Sequence, residues 1–158
     1  MWRLLFFAAV VVTASLPQLQ SSGAIGHSEC LRIHEPGEVI GITSLGETLA
    51  VASRATIYLY SVPDTTCRQL DEFSTPVIID KLLTEFKLLN ESSLFYCDAN
   101  KCFGCYRKTN WTCKEHDIRA GVKTEGEIQQ AVVTQSGKEK NTLRIVFAKG
   151  AVVIYTYD

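Results

Sequence analysis

The chain has 158 residues, 46% of them hydrophobic and 21% charged, with a formal net charge of −1. That composition excludes a disordered chain, and the near-zero charge provides no global field that would draw the protein to nucleic acid or to a membrane surface. Six cysteines, an even number, leave room for a fully paired disulfide framework.

The N-terminus reads MWRLLFFAAVVVTASLPQLQSSGA. Arg3 supplies a positive start, Leu4 to Val12 is an unbroken apolar run, and small residues follow at Ala14, Ser15 and Ser22 to Ala24. This is the order of a secretory signal peptide. We assign residues 1–24 to it, with cleavage between Ala14 and Ala24. The apolar run is too short for a bilayer, which needs about 20 residues. No second long apolar run follows, so residues 25–158 are expected to be secreted or extracellular, with no membrane span. About 135–145 residues then remain, enough for one small domain.

The body reads as β throughout. Val39–Thr43 alternates apolar and small residues, and Thr48–Ala52 and Thr56–Tyr60 are rich in β-formers. Ile79–Leu89 is the best helical candidate, but it is short and uncapped, so a strand fits it equally well. Leu143–Phe147 and Ala151–Tyr155 complete the series. Three segments superimpose without gaps: LAVASRATIYLYS from Leu49, LFYCDANKCFGCY from Leu94 and LRIVFAKGAVVIY from Leu143. Each reads strand, turn, strand, and each follows another apolar stretch. The first two are followed by a polar, cysteine-bearing stretch. Four short strands at a period of about 45 residues suggest a β-propeller blade. We expect an all-β partial propeller of about two and a half four-stranded antiparallel blades, at approximately 38–73, 80–117 and 128–158. Propellers close with about 4–8 blades. The chain is therefore expected to be the start of something larger, or a truncated relative of it.

The stretch from Leu94 to Cys113 holds four of the six cysteines. Cys97, Cys102, Cys105 and Cys113, with His116 nearby, supply enough ligands for tetrahedral zinc, but the spacing matches no common finger. Cys102-Phe-Gly-Cys105 has the Cys-x-x-Cys spacing of a redox pair, but it lacks the βαβ setting that lowers a thiol pKa. Structural disulfides suit a secreted β protein best. In the gapless alignment Cys97 stands with Ala52 and Val146, Cys102 with Ile57 and Ala151, and Cys105 with Tyr60 and Ile154. The cysteines therefore occupy packing positions. Two registers are open. A tight turn at Asp98–Lys101 sets Cys97 opposite Cys102. It also leaves Cys105 about 10 Å further along at ~3.3 Å per residue, beyond the ~7 Å reach of a bridge from Cys97. A wider loop over Asp98–Gly104 sets Cys97 opposite Cys105.

Three features together resemble the beginning of a sema domain, the seven-bladed propeller of semaphorins, plexins and the hepatocyte-growth-factor-receptor group. They are the signal peptide followed by Leu49–Tyr60, then Asp80-Lys-Leu-Leu with Leu94-Phe-Tyr-Cys97 and Cys105, and a next blade opening Ala131-Val-Val and continuing Thr142-Leu-Arg-Ile-Val. The resemblance covers most of residues 38–158 and about the first third of such a domain. Cys97-Asp98 stands where Cys-Gly is expected, and Cys102 is extra. The resemblance implies protein–protein recognition of the semaphorin–plexin signalling kind, with an extracellular protein partner and no catalysis. It favours the wide register, with Cys97 bonded to Cys105. Cys102 is then left for Cys113, and Cys30 for Cys67. The alternative functions are a small secreted thiol–disulfide or metal-binding protein using Cys97–Cys113, and a truncated product with no activity of its own.

Asn90-Glu-Ser92 and Asn110-Trp-Thr112 are N-glycosylation acceptors in expected turns. No catalytic constellation and no cofactor motif is found. His27, His34 and His116 read as lone surface histidines, and Glu125 and Glu127 as part of a solvated loop. Lys101, Arg107, Lys108, Lys114, Arg119 and Lys123 form a basic stretch interrupted by Glu115 and Asp117, which suits a charged outer edge. AVVIYTYD at the C-terminus is an apolar β-prone strand, and an unpaired edge of that kind is expected to self-associate.

Overall fold

The computed structural model describes residues 39–63, 67–120, 126–136 and 140–157. Residues 1–24, Cys30, His27, His34, Lys123 and Glu125 lie outside the described residues, and with them the signal peptide and one half of the Cys30–Cys67 pair. Eleven strands and no helix are present among the described residues. They form three antiparallel sheets. The first is β1 (Gly41–Leu45), β2 (Thr48–Ala52), β3 (Thr56–Ser61) and β4 (Arg68–Ser74). The second is β5 (Glu85–Asn90), β6 (Ser93–Cys97), β7 (Cys102–Arg107) and β8 (Trp111–His116). The third has three strands, β9 (Ile128–Ser136), β10 (Lys140–Phe147) and β11 (Val152–Tyr157). Each is a simple meander in chain order, so every turn joins neighbouring strands. No ring is closed by these three sheets.

The sheets pack side by side, with β5 against both β1 and β9. The second sheet lies between the other two, and this explains the unbroken apolar run in β6. Leu94 and Tyr96 enter one core with Ala50, Ile57 and Leu59 of the first sheet. Phe95 and Cys97 enter another with Val133, Leu143 and Ile145 of the third. All four β6 side chains are fully buried, as expected of a strand covered on both faces. Each large apolar side chain buried this way contributes about 1.5–3 kcal/mol.

The helical option for Ile79–Leu89 does not occur. Its amides are spent on neighbouring strands: Ile79 N–H donates to Arg54 C=O, Leu83 N–H to Ile40 C=O and Thr84 N–H to Cys97 C=O. Tertiary partners take the donors that a helix would need, and the segment ends as β5.

The repeat holds in detail for two sheets. Ala52 pairs with Ile57 and Leu49 with Tyr60 in the first, and Cys97 with Cys102 and Leu94 with Cys105 in the second. The third slips by one residue, because Val146 pairs with Val152 rather than Ala151. The extra residue sits in the β10–β11 turn, where Gly150 takes φ +87°, a conformation open to glycine at little cost. The corresponding turns of the other sheets have no positive-φ residue. A side chain does the work there instead. Thr56 N–H donates to Ser53 Oγ, and the Asp98 carboxylate accepts the Asn100 and Lys101 amides at 2.6 and 2.7 Å.

Candidate functional site

The Asp98 turn settles the cysteine pairing. Asp98 N–H also donates to Lys101 C=O at 3.0 Å, closing a tight hairpin. Cys97 then stands directly opposite Cys102, and the two are bonded with Cα atoms 4.1 Å apart. Cys105 stands opposite Cys113 on β8 and is bonded to it, at a Cα separation of 4.0 Å. The expected wide-register pairs, Cys97–Cys105 and Cys102–Cys113, are therefore corrected. The tight register, implied by aligning the repeats, is the one that forms. Cys67 is disulfide-bonded as well. The two bonds lie on opposite faces of the second sheet. Cys97–Cys102 faces the third sheet and Cys105–Cys113 faces the first. All four sulfurs of the cluster are consumed, and Cys102 and Cys105 have different partners.

Asn90 and Asn110 are both exposed, at the β5–β6 and β7–β8 turns. Asn90 Oδ1 accepts the Ser92 amide at 2.8 Å. The basic stretch is dispersed. Lys101 pairs with Glu115 at 3.0 Å, Arg107 with Asp71 at 3.3 Å, and the Arg119 guanidinium lies 4.6 Å from the Phe147 ring centroid. Glu127 is exposed and pairs with Lys81. Among the described residues no group of three His, Cys, Asp or Glu side chains is placed to hold a metal ion, and no helix is long and apolar enough to cross a membrane.

His116 is not a lone surface histidine. It is half-buried in an aromatic group between the second and third sheets. Its ring centroid lies 4.3 Å from Tyr157, 5.7 Å from Tyr155 and 5.8 Å from Phe95. Gly104 makes the close approach possible, because a Cβ there would meet His116 Nε2 at 2.7 Å. Burial, and then the positive charge of Lys114, lower the imidazole pKa below its ordinary 6.5, so the ring is neutral at pH 7.

Beside this group is a cleft of about 470 Å³, lined by Gly104, Lys114, His116, Asn141, Tyr155 and Tyr157 among others. Two of its polar atoms, Asn141 Oδ1 and Tyr157 Oη, are buried with no hydrogen-bond partner. Burial raises the Tyr157 pKa, with Glu85 and Tyr155 adding to the effect, so the phenol keeps its proton. Few buried polar groups in folded proteins go unpaired, so two in one cleft mark it as the candidate site. No motif in the sequence marks it, since its residues come from β5, β6, β7, β8, β10 and β11 and meet only through sheet stacking.

The first and second sheets meet differently. There the fourth strand β4 bridges part of the gap, and a cleft of about 690 Å³ remains, lined by Leu59, Ser61 and Leu70 on one side and Glu91 and Arg107 on the other. Phe73 stacks on Trp111 with centroids 4.7 Å apart, and Asp71 accepts the Trp111 indole N–H at 3.0 Å. The third sheet has no strand on the far side of β11 among the described residues. Its opposite edge is occupied, since Val133 N–H donates to Glu85 at 2.8 Å and Val133 C=O accepts from Lys87 at 3.0 Å.

No protein-family model matches the chain, and neither does any curated protein or solved structure.

Proposed function

We propose that this is an extracellular protein–protein recognition module, built like the opening blades of a sema-type propeller and acting without catalysis. One observation carries the reading. Three antiparallel meanders stack side by side on their first strands, and the middle one is buried on both faces. The bonds Cys97–Cys102 and Cys105–Cys113 suit an oxidising compartment. The exposed Asn90 and Asn110 triplets suit secretion. The rival thiol–disulfide or metal-binding reading needs free thiols at Cys102 and Cys105, and both are committed to other partners.

The test is expression of the full chain in mammalian cells. The reading predicts a secreted product with all thiols blocked and a mass shift on glycosidase treatment. It also predicts saturable binding to a semaphorin or plexin ectodomain by surface plasmon resonance. Retention in the cytosol with reactive Cys102 and Cys105 thiols would overturn it.

A further inference from the structure

One cross-strand line of the second sheet differs from its counterparts in the other two. Asn90 pairs with Ser93, Ser93 with Tyr106 and Tyr106 with Thr112. Directly paired residues set their side chains together on one face, so these four cross all four strands of the sheet. The bulge in β5 is what brings Asn90 into the line. Leu88 pairs with Leu94, and Leu89 is the extra residue, so Asn90 rather than Leu89 stands opposite Ser93. In the first sheet the same line runs Leu45, Thr48, Ser61 and Arg68. In the third it runs Thr134, Thr142 and Thr156. Only the second sheet has an aromatic there, and Tyr106 is 44% exposed. The fold does not require it, because serine and threonine fill the equivalent places. Only this line begins with a glycosylation acceptor, Asn90-Glu-Ser92.

We infer that Asn90 carries an N-glycan whose first sugar lies back across Ser93 and stacks on the Tyr106 ring. Asn90 and Tyr106 are two strands apart, about 10 Å at ~4.8 Å per strand, within reach of an asparagine side chain plus one pyranose. Ser93 between them is small, so nothing tall blocks the path. The Asn90 carboxamide is already oriented, since its Oδ1 accepts the Ser92 amide at 2.8 Å. An N-acetylglucosamine ring has an apolar face of C–H groups, and the negative face of an aromatic ring attracts such hydrogens. Tethering makes a weak contact sufficient, because a group on a short link has an effective concentration on the order of millimolar. Ser93 and Tyr106 also line the cleft beside His116, so the sugar lies along its rim.

A protein segment is a poorer occupant of this surface. Acceptor triplets bracket the line at both ends, because Thr112 completes Asn110-Trp-Thr112. A partner laid along it would have to displace carbohydrate. Of the two glycans, the one on Asn90 is assigned to Tyr106. Asn90 stands in the line itself, opposite Ser93, whereas Asn110 lies beyond it in the β7–β8 turn.

This inference rests on the extracellular part of the reading above, so its test is chosen to separate the two. The full chain is expressed in mammalian cells, and glycopeptide mass spectrometry of the secreted product should find Asn90 occupied. Ser92→Ala removes the acceptor triplet while keeping the Asn90 carboxamide and the backbone amide it holds. It should lower the melting temperature by about 2–4 °C, the shift one aromatic stack gives in a chain of this size. In a Tyr106→Ala background it should change nothing, and in Tyr106→Phe the loss should return, because the ring and not the hydroxyl makes the contact. A second measurement needs no variant. Glycosidase acting on the folded chain should release the Asn110 glycan faster than the Asn90 glycan. A bare Asn90 in the secreted product overturns the inference, as does an equal loss from Ser92→Ala with and without Tyr106, or equal release at the two sites. So does a coupling of Tyr106 to Thr112→Ala instead, because the Asn110 glycan would then be the occupant. If semaphorin or plexin ectodomain binds and Asn90 is bare, the recognition reading stands and the stacked glycan falls. If the coupling appears and no ectodomain binds, the stacked glycan stands and that reading falls. Retention in the cytosol overturns both.

Discussion

The two inter-sheet seams of this molecule are built from the same meander and end differently. The seam between the first and second sheets is bridged by β4, with Phe73 stacked on Trp111 and Asp71 holding the indole, and keeps a cleft bordered by Leu70, Glu91 and Arg107. The seam between the second and third sheets has an equally apolar interior, from Phe95 to Phe147. At its outer end, however, it opens into a cleft with His116, Lys114 and two unpartnered polar atoms. Burial of alternating apolar faces makes both seams stable. The fourth strand therefore distinguishes the two seams, while both cores come from the same alternation.

Neighbouring residues of β6 separate the seams most sharply. Phe95 is fully buried in the second seam against Tyr157 and His116. Truncation to alanine should cost about 3–5 kcal/mol in urea denaturation and should disturb the aromatic group. Tyr96 points into the first seam and its hydroxyl is buried with no partner. Tyr96→Phe should therefore be neutral or stabilise by ~1 kcal/mol, because an unsatisfied buried polar group is removed. A clear destabilisation by Tyr96→Phe would contradict the packing of that seam.

The disulfides come next in size. Removing Cys97–Cys102 with a double alanine substitution frees a short loop facing the second seam, and removing Cys105–Cys113 does the same facing the first. Chain-entropy arguments give about 2–3 kcal/mol for each. Non-reducing peptide mapping should recover these two pairs, and recovery of Cys97 joined to Cys105 would refute the register.

The open seam should also respond to pH. The His116 pKa is lowered in the folded state, first by burial and then by Lys114. Above pH 6.5 the ring is neutral in both folded and unfolded chains and nothing is lost. As pH falls below 6.5, the unfolded chain takes up the proton first, so stability declines until pH passes below the folded pKa. Lys114→Gln removes the second cause and should flatten that decline. A decline of equal slope in Lys114→Gln would show that the charge plays no part. The smallest effect is expected at the Lys101–Glu115 pair, about half exposed on both sides. Lys101→Ala should change stability by less than about 0.5 kcal/mol.

Much of the fold was legible in the residues. Period-2 alternation and β-rich runs located Thr48–Ala52 and Thr56–Tyr60 because local preference and burial agree there. The repeat correctly placed Cys97 opposite Cys102, since a side-chain acceptor at Ser53 and at Asp98 makes the same tight turn. It failed by one residue in the third sheet, where Gly150 opens a longer turn that an alignment without gaps conceals. The Ile79–Leu89 ambiguity arose because its amide partners lie far away in sequence. The cleft was invisible for the same kind of reason. His116 looked isolated because Tyr155 and Tyr157 lie about forty residues on, and only sheet stacking brings them beside it.

The central claim is that, among the described residues, β11 is the outermost strand of its sheet, whereas the corresponding third strands β3 and β7 are covered by β4 and β8. Amide hydrogen exchange of the full secreted chain tests it most directly. The amides of β7, flanked by β6 and β8, should all be protected. In β11 the amides of Val153 and Tyr155 should be protected and those of Val152, Ile154 and Thr156 should exchange rapidly. Uniform protection along β11 in the free chain would contradict the claim, because the edge would then already be paired.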